Sequence, residues 1–321
     1  MVPLASPDVL HAELPENPLC LITDDGSSLA PVLAKALSEQ GWSPVILCFS
    51  GISALVKKKR KPFAKEIPLI ELSSSAESEL ETSLKSLTEK HGNIGGFIHL
   101  HPASSAPAES KLEDGANAFL KQAFLTAKNV CTFLNEAGKS DSSRSHFLAV
   151  AHLDGELGMG SGQFGAVGSG LSGLIKTAGV EWPDVFCRFV DLQPELTADT
   201  AASCILQELL DPDLRIKEVG YSGSGKSGTR RMTVQPKIIR DLTTKNSSKS
   251  LTKKSVFLVS GGARGVTAEC VVKLAQTQPC SFILLGRSTI EDEPEWAKGV
   301  GEDKTKLKQA AMKSLVDSGE K

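Results

Sequence analysis

The stretch that most restricts how this 321-residue chain can fold is Ser255 to Ser288, SVFLVSGGARGVTAECVVKLAQTQPCSFILLGRS. Val256 to Ser260 are apolar or β-branched apart from the last, and read as a buried strand. Gly261, Gly262 and Gly265 follow at once, and Val266 to Ala275 forms a helical run. A second apolar strand, Phe282 to Leu285, closes on Gly286-Arg287-Ser288. This order predicts a β-turn-α-β unit with glycines where the first strand passes into the helix. Bare backbone N–H groups then face the positive end of a helix dipole, an arrangement that holds a pyrophosphate.

Two arginines sharpen the expectation. Arg264 stands inside the turn and Arg287 at the end of the second strand. A site for NAD has a carboxylate at the second position to bind the ribose 2′-hydroxyl, whereas a guanidinium suits a 2′-phosphate. The predicted cofactor is therefore NADPH (NADP). Its expected contacts are Gly261, Gly262, Ala263, Arg264, Gly265 and Val266 at the pyrophosphate, with Gly286, Arg287 and Ser288 at the adenosine end.

The Gly-x-x-x-Gly spacing of Gly261 and Gly265 is that of a short-chain dehydrogenase/reductase turn, with Thr267 in place of the usual third glycine. SGGARGVTAE followed by LLGRS resembles the ketoreductase domain of polyketide synthases, and most of all that of polyunsaturated fatty acid synthases. The resemblance implies hydride transfer from NADPH to a 3-ketoacyl thioester carried on an acyl carrier protein, with other synthase domains as partners. It also implies that the tyrosine, lysine, serine and asparagine of such a site come from later strands and helices than the chain contains. No catalytic residue is assigned here.

Leu19 to Ser50, LCLITDDGSSLAPVLAKALSEQGWSPVILCFS, repeats the design. Slid by 237 positions, Leu21-Ile22-Thr23 falls on Leu258-Val259-Ser260, and Val45-Ile46-Leu47 on Phe282-Ile283-Leu284. The turn does not survive, because Asp24 and Asp25 stand where Gly261 and Gly262 do. Two carboxylates suit a helix N-terminus but repel a diphosphate. The expected fold class is thus α/β with two Rossmann-like units, a degenerate structural subdomain and then the start of an NADP-binding catalytic subdomain. In the family resembled, a non-catalytic structural subdomain likewise precedes the catalytic one. The predicted boundaries are a lead-in at 1–17, the structural subdomain at 18–240, a Ser/Thr- and Lys-rich linker at 241–254, and the opening of the catalytic subdomain at 255–321.

Composition narrows the classes further. A net charge of −2 with 23% charged residues favours neither nucleic acid nor membrane as partner. The first residues lack the basic and apolar regions of a secretory signal, and no apolar run has the length of a bilayer span. Seven cysteines without a C-x-x-C pair read as free thiols in a reducing compartment, so a cytoplasmic protein is expected.

Three motifs invite other functions. Gly155 to Gly173 contains two Gly-x-Gly-x-x-Gly matches with Asp191 downstream, but neither match follows its strand directly, and close helix packing explains the glycines as well. GYSGSGKS, Gly220 to Ser227, satisfies the P-loop pattern, but β-branched residues and a proline follow it where a helix is required. A glycine-rich hairpin loop is expected instead. His99 and His101 flank Leu100 and are taken to point to opposite strand faces, which disfavours a metal pair. The basic run Lys57 to Lys61 reads as a solvated loop. The single tyrosine, Tyr221, is followed by Lys226 at five positions rather than the four of Tyr-x-x-x-Lys, so it cannot serve as the proton donor. A fragment without its tyrosine leaves two alternatives open, a non-catalytic scaffold piece or a P-loop nucleotide-binding protein.

Overall fold

A computed structural model describes residues 1–8, 19–50, 61–74, 76–103, 114–139, 144–160, 166–223, 228–236, 251–261, 265–286, 292–301 and 303–318. The chain divides into two compact units, Met1–Lys237 and Ile238–Lys321.

In the first unit the strands are β1 (Val2–Pro3), β2 (Leu19–Thr23), β3 (Ser43–Phe49), β4 (Leu69–Leu72), β5 (Ile94–Leu100), β6 (Ser145–Ala151), β7 (Val185–Leu192), β8 (Glu218–Ser222) and β9 (Arg230–Thr233). The helices between them are α1 (Leu29–Glu39), α2 (Glu77–His91), α3 (Asp114–Ala137), α4 (Gly170–Glu181) and α5 (Ala198–Leu209). The sheet order is β1-β9-β8-β7-β6-β5-β2-β3-β4. All pairs from β4 to β8 are parallel, while β9 and β1 add antiparallel at one edge. Numbered by their own succession, the seven parallel strands run 3-2-1-4-5-6-7. That is the doubly wound Rossmann order, with its switch point between β2 and β5.

Alternation along the strands explains why both sheet faces are covered. Leu19, Leu21, Val45, Leu47, Phe97, Phe147 and Phe189 enter one core with the apolar stripes of α2, α3 and α4. Cys20, Ile22, Ile46, Ile98, Leu148 and Val190 enter the other with α1 and α5. Parallel strands buried on two faces read as continuous apolar runs rather than alternating ones, as LCLIT and FLAVA do. Local signals set the helix ends. Pro31 sits in the first turn of α1, where its missing N–H has no partner to lose. Glu77 and Glu79 open α2, Lys90 and His91 close it, and Thr197 accepts from Thr200 N–H at the start of α5.

The first residues are more than a lead-in. Val2 and Pro3 pair with Thr233 and Met232, and Arg231 donates from Nη1 to the Ala5 carbonyl at 2.9 Å. Nothing local in MVPLASPD marks a strand, since its partner lies some 230 positions away.

The second unit contains β10 (Val256–Ser260), α6 (Gly265–Thr277), β11 (Ser281–Leu285) and α7 (Lys304–Ser318). β10 and β11 pair in parallel. The likeness to β2–α1–β3 holds with one adjustment. Leu21 lies opposite Val45 in the first unit, whereas Leu258 lies opposite Ile283 in the second. The second strand is therefore offset by 238 positions rather than 237, one residue longer between strands than the ungapped repeat supposes.

Candidate functional site

In the second unit β10 runs through Ser260 into Gly261, and α6 begins at Gly265. Gly261 has φ +69° and Gly265 φ +58°, and no heavy atom lies within 4 Å of where a Cβ would stand on either. Both positions exploit glycine's freedom at positive φ, and both leave the backbone open to a ligand. Gly261 N–H donates to the Leu285 carbonyl at 2.8 Å, so the turn is tied to the end of β11, where Gly286 follows. Val266 is exposed in the first turn of α6. The remaining predicted contacts, Gly262, Ala263, Arg264, Arg287 and Ser288, lie outside the described residues. What is described fits a nucleotide's diphosphate: two flanking glycines with open space at their Cβ positions, a helix N-terminus and the neighbouring strand end.

The matching turn of the first unit is closed by its own side chains. Asp24 and Asp25 are 2% and 1% exposed. Asp24 Oδ1 accepts from Gly26 N–H at 2.8 Å, and Asp25 Oδ1 from Ser27 N–H at 3.1 Å. Ser27 Oγ donates to Asp25 Oδ2 and itself accepts from Leu29 N–H at 2.9 Å. The N–H groups that would bind a phosphate are thus already engaged, and burial pushes the Asp25 carboxyl up to about 6. Electrostatic repulsion and occupied donors act together against an anion here.

The decoy motifs resolve structurally. β8 and β9 pair antiparallel through Gly220 with Met232, Tyr221 with Arg231 and Ser222 with Arg230. Residues 224–227 lie outside the described residues, but the motif's flanks form a hairpin, and strand β9 stands where a P-loop needs a helix to present N–H groups to a phosphate. In the Gly155 to Gly173 region, Asp191 accepts from Leu153 N–H and Leu157 N–H, both at 2.8 Å, so its two oxygens anchor a loop. Close approach accounts for Gly155, where a Cβ would stand 2.2 Å from the Tyr221 carbonyl oxygen, but not for Gly173, whose Cβ position is open.

The reading of His99 and His101 needs correction. Residues two apart on a strand share a face, and their rings lie 6.0 Å apart on the side that faces α3. Among the described residues no group of three His, Cys, Asp or Glu side chains has the geometry to hold a metal ion.

Tyr221 is 1% exposed and donates its hydroxyl to Glu208 Oε1 at 2.5 Å. Burial and the Glu208 carboxylate raise its pKa far above the usual phenol range, so it is fixed as a structural donor. It belongs to a buried group that neither composition nor motif reveals. Arg188 donates to Glu208 and to Asp211, and Arg231 reaches the same two carboxylates from β9. No short-range pattern could have found it, because its members come from β7, β8, β9, α5 and the segment after α5.

The sheet order defines an α/β protein of the Rossmann class, with one turn closed by its own carboxylates and, in the second unit, open space at Gly261 and Gly265. No family model matches the chain. Over its whole length it is 32% identical to a polyunsaturated fatty acid synthase chain of Thraustochytrium, of which it spans about 11%. The chain is thus similar throughout to one segment of such a synthase, as its motifs imply. Among solved structures, 3-ketoacyl-(acyl-carrier-protein) reductase from Brucella melitensis, complexed with NADH, matches 61% of this chain and 91% of its own at 16% identity and a TM-score of 0.48. A short-chain type dehydrogenase/reductase from Mycobacterium ulcerans matches 64% and 88% at 13% identity and 0.46. Likeness at that level decides neither activity nor cofactor. No helix among the described residues is long and apolar enough to cross a membrane.

Proposed function

We propose that this chain is the structural subdomain and the cofactor-reading opening of an NADPH-dependent β-ketoacyl reductase within a polyunsaturated fatty acid or polyketide synthase, reducing 3-ketoacyl groups on an acyl carrier protein in the cytoplasm. The observation that carries the reading is the contrast between two copies of one module. The turn at Gly261 and Gly265 is open, and the turn at Asp24 and Asp25 is sealed by its own carboxylates. The whole-length similarity to a segment of a synthase supplies the context.

In this reading the N–H groups of Gly262 to Val266 and the dipole of α6 hold the pyrophosphate, with the bare Cα of Gly261, whose own N–H is bonded to Leu285, leaving room for it and Arg264 inside the same turn. Gly286, Arg287 and Ser288 hold the adenosine 2′-phosphate, a fork-shaped donor meeting a dianion. The nicotinamide, when bound, supplies hydride. The proton for the developing alkoxide is assigned to a tyrosine outside these 321 residues, because Tyr221 is locked to Glu208. By itself the chain then acts as a brace and a half-site rather than as a complete catalyst.

The test compares NADPH-dependent reduction of a model 3-ketoacyl thioester by these 321 residues and by a version extended by about 150 residues of its coding sequence, roughly the remainder of a dinucleotide-binding domain. Activity is expected only in the extended protein. Turnover by the shorter one would overturn the assignment of the proton donor.

A further inference from the structure

At the C-terminal edge of the first unit's sheet, three imidazoles are gathered where β5 and β6 end. His99 is the penultimate residue of β5, His101 follows it, and His152 follows β6. The rings of His99 and His101 are 6.0 Å apart, and His101 meets the Phe119 ring of α3 edge-on at 6.4 Å. Each imidazole has one buried ring nitrogen without a hydrogen-bond partner among the described residues: Nε2 of His99, Nδ1 of His101 and Nδ1 of His152.

The groups facing the cluster are mostly neutral. From β2, Thr23 Oγ1 lies 3.2 Å from His99 Nδ1 while accepting from Leu100 N–H at 2.8 Å. From β5 itself, Phe97 lies 6.4 Å from His99. From the turn before α4, a Cβ on Gly168 would stand 3.3 Å from His101 Cδ2. From β7, the Leu192 carbonyl is a hydrogen-bond partner of His152. The carboxylates of the same edge are engaged with backbone N–H groups: Asp24 and Asp25 with Gly26 and Ser27, Asp191 with Leu153 and Leu157, and Asp154 with Glu156, Gly158 and Gly160. Glu156 pairs with Arg230 at 2.6 Å.

We propose that His99, His101 and His152 form an acid-sensitive latch, which holds the end of β5 against the start of α3 and the Ala166–Ser169 turn while neutral and releases them on protonation. Among the described residues no carboxylate pairs with these rings, so a second charge among them, with little room around Gly168, is offset by little beyond the Leu192 carbonyl beside His152, and opening the edge to water removes the penalty. Burial holds His99 down at about 3 and His101 and His152 at about 4, with each neighbouring imidazole adding to the effect at His99 and His101. The sign is definite. The open edge binds protons below about pH 6.5 and the closed edge does not, so closure is complete near neutrality and weakens as pH falls from there toward the depressed values. Asp25 and Asp191 titrate in the opposite sense, so a carboxylate effect would grow with rising pH.

The experiment uses the full chain. Amide hydrogen exchange, corrected for its intrinsic pH dependence, is followed across residues 98–102, 114–125 and 166–171 between pH 7.5 and 5. Opening of these segments is expected to rise by clearly more than the tenfold per pH unit that one group gives, about a hundredfold or more below 6.5, reversibly. In the variant His99→Gln with His101→Gln, which leaves only His152 to titrate, the dependence is expected to fall to that of one group or less. An unchanged profile in that variant overturns the latch. Should the variant fail to fold, histidine ring NMR of the unaltered protein decides. Rings neutral down to pH 5 in the closed state support the proposal, and ordinary titration near 6.5 with protection intact refutes it.

Discussion

At the scale of single residues, Arg287 offers a test of the proposed function, and one buried cluster braces the first unit. In the proposed reading the Arg287 guanidinium binds the 2′-phosphate, so Arg287→Asp in the extended protein is expected to move preference from NADPH toward NADH by one to two orders of magnitude, about 1.5–3 kcal/mol of charge-assisted contact. Steady-state kinetics with both cofactors check it, and equal NADPH kinetics in variant and parent would remove Arg287 from the site. The cluster is different in kind. Arg231 is 8% exposed and bridges Glu208 and Asp211 while holding the Ala5 carbonyl. Arg231→Met leaves two buried carboxylates sharing Arg188, and is expected to cost the first unit about 3–5 kcal/mol in urea unfolding. An effect below about 1 kcal/mol would show that the network is screened by water.

At the scale of elements, the informative comparison is between two copies of β-turn-α. In the β2–α1 turn the carboxylates of Asp24 and Asp25 take up the N–H groups of Gly26 and Ser27, and Ser27 Oγ takes that of Leu29, whereas Gly261 and Gly265 on either side of the β10–α6 turn carry no side chain to do so. Asp25 is raised to about 6 by burial, as is Asp191 at the end of β7. A carboxyl whose folded value is raised contributes stability that is complete below the unfolded value near 4 and is lost as pH rises through 6. Asp25→Asn, which keeps an acceptor for Ser27 N–H, is therefore expected to reduce the loss of stability between pH 5 and 8. Denaturant midpoints at the two pH values measure this, and an identical pH difference in variant and parent would reject it. Helices and strands were largely legible in the sequence because each carries its own period. The amphipathic run Ala116 to Ala137 falls within α3, and the apolar run Gly95 to Leu100 falls within β5. A turn of 3₁₀ geometry at Ala166–Ser169 precedes α4, which starts at Gly170. Glycines at 168 and 170 weaken helix propensity there, while His101 and Leu120 crowd the turn.

At the scale of the whole molecule, the two units differ in how much they bury. In the first, both faces of the sheet are covered. In the second, Val256, Leu258, Ile283 and Leu285 share one face of β10–β11 and are 59%, 67%, 53% and 51% exposed. α6 buries no residue, and Ala297 is the one buried apolar side chain among the unit's described residues. A parallel pair with two apolar faces calls for helices on both. The second unit's amides are therefore expected to exchange within minutes while those of β5, β6 and β7 persist for hours, a contrast that exchange mass spectrometry reads directly. Equal protection in both units would show that the second is covered in solution. What the sequence alone determined was local and periodic: the strand and helix runs, the doubling of the module, the open glycine turn and the loss of its counterpart to two aspartates. Tertiary structure alone decided the 3-2-1-4-5-6-7 strand order, the use of Val2–Pro3 as an edge strand, the Arg188–Glu208–Asp211–Arg231 cluster around Tyr221, and the meeting of His99, His101 and His152. These depend on contacts between residues tens to hundreds of positions apart, and no short-range period in a single chain records them.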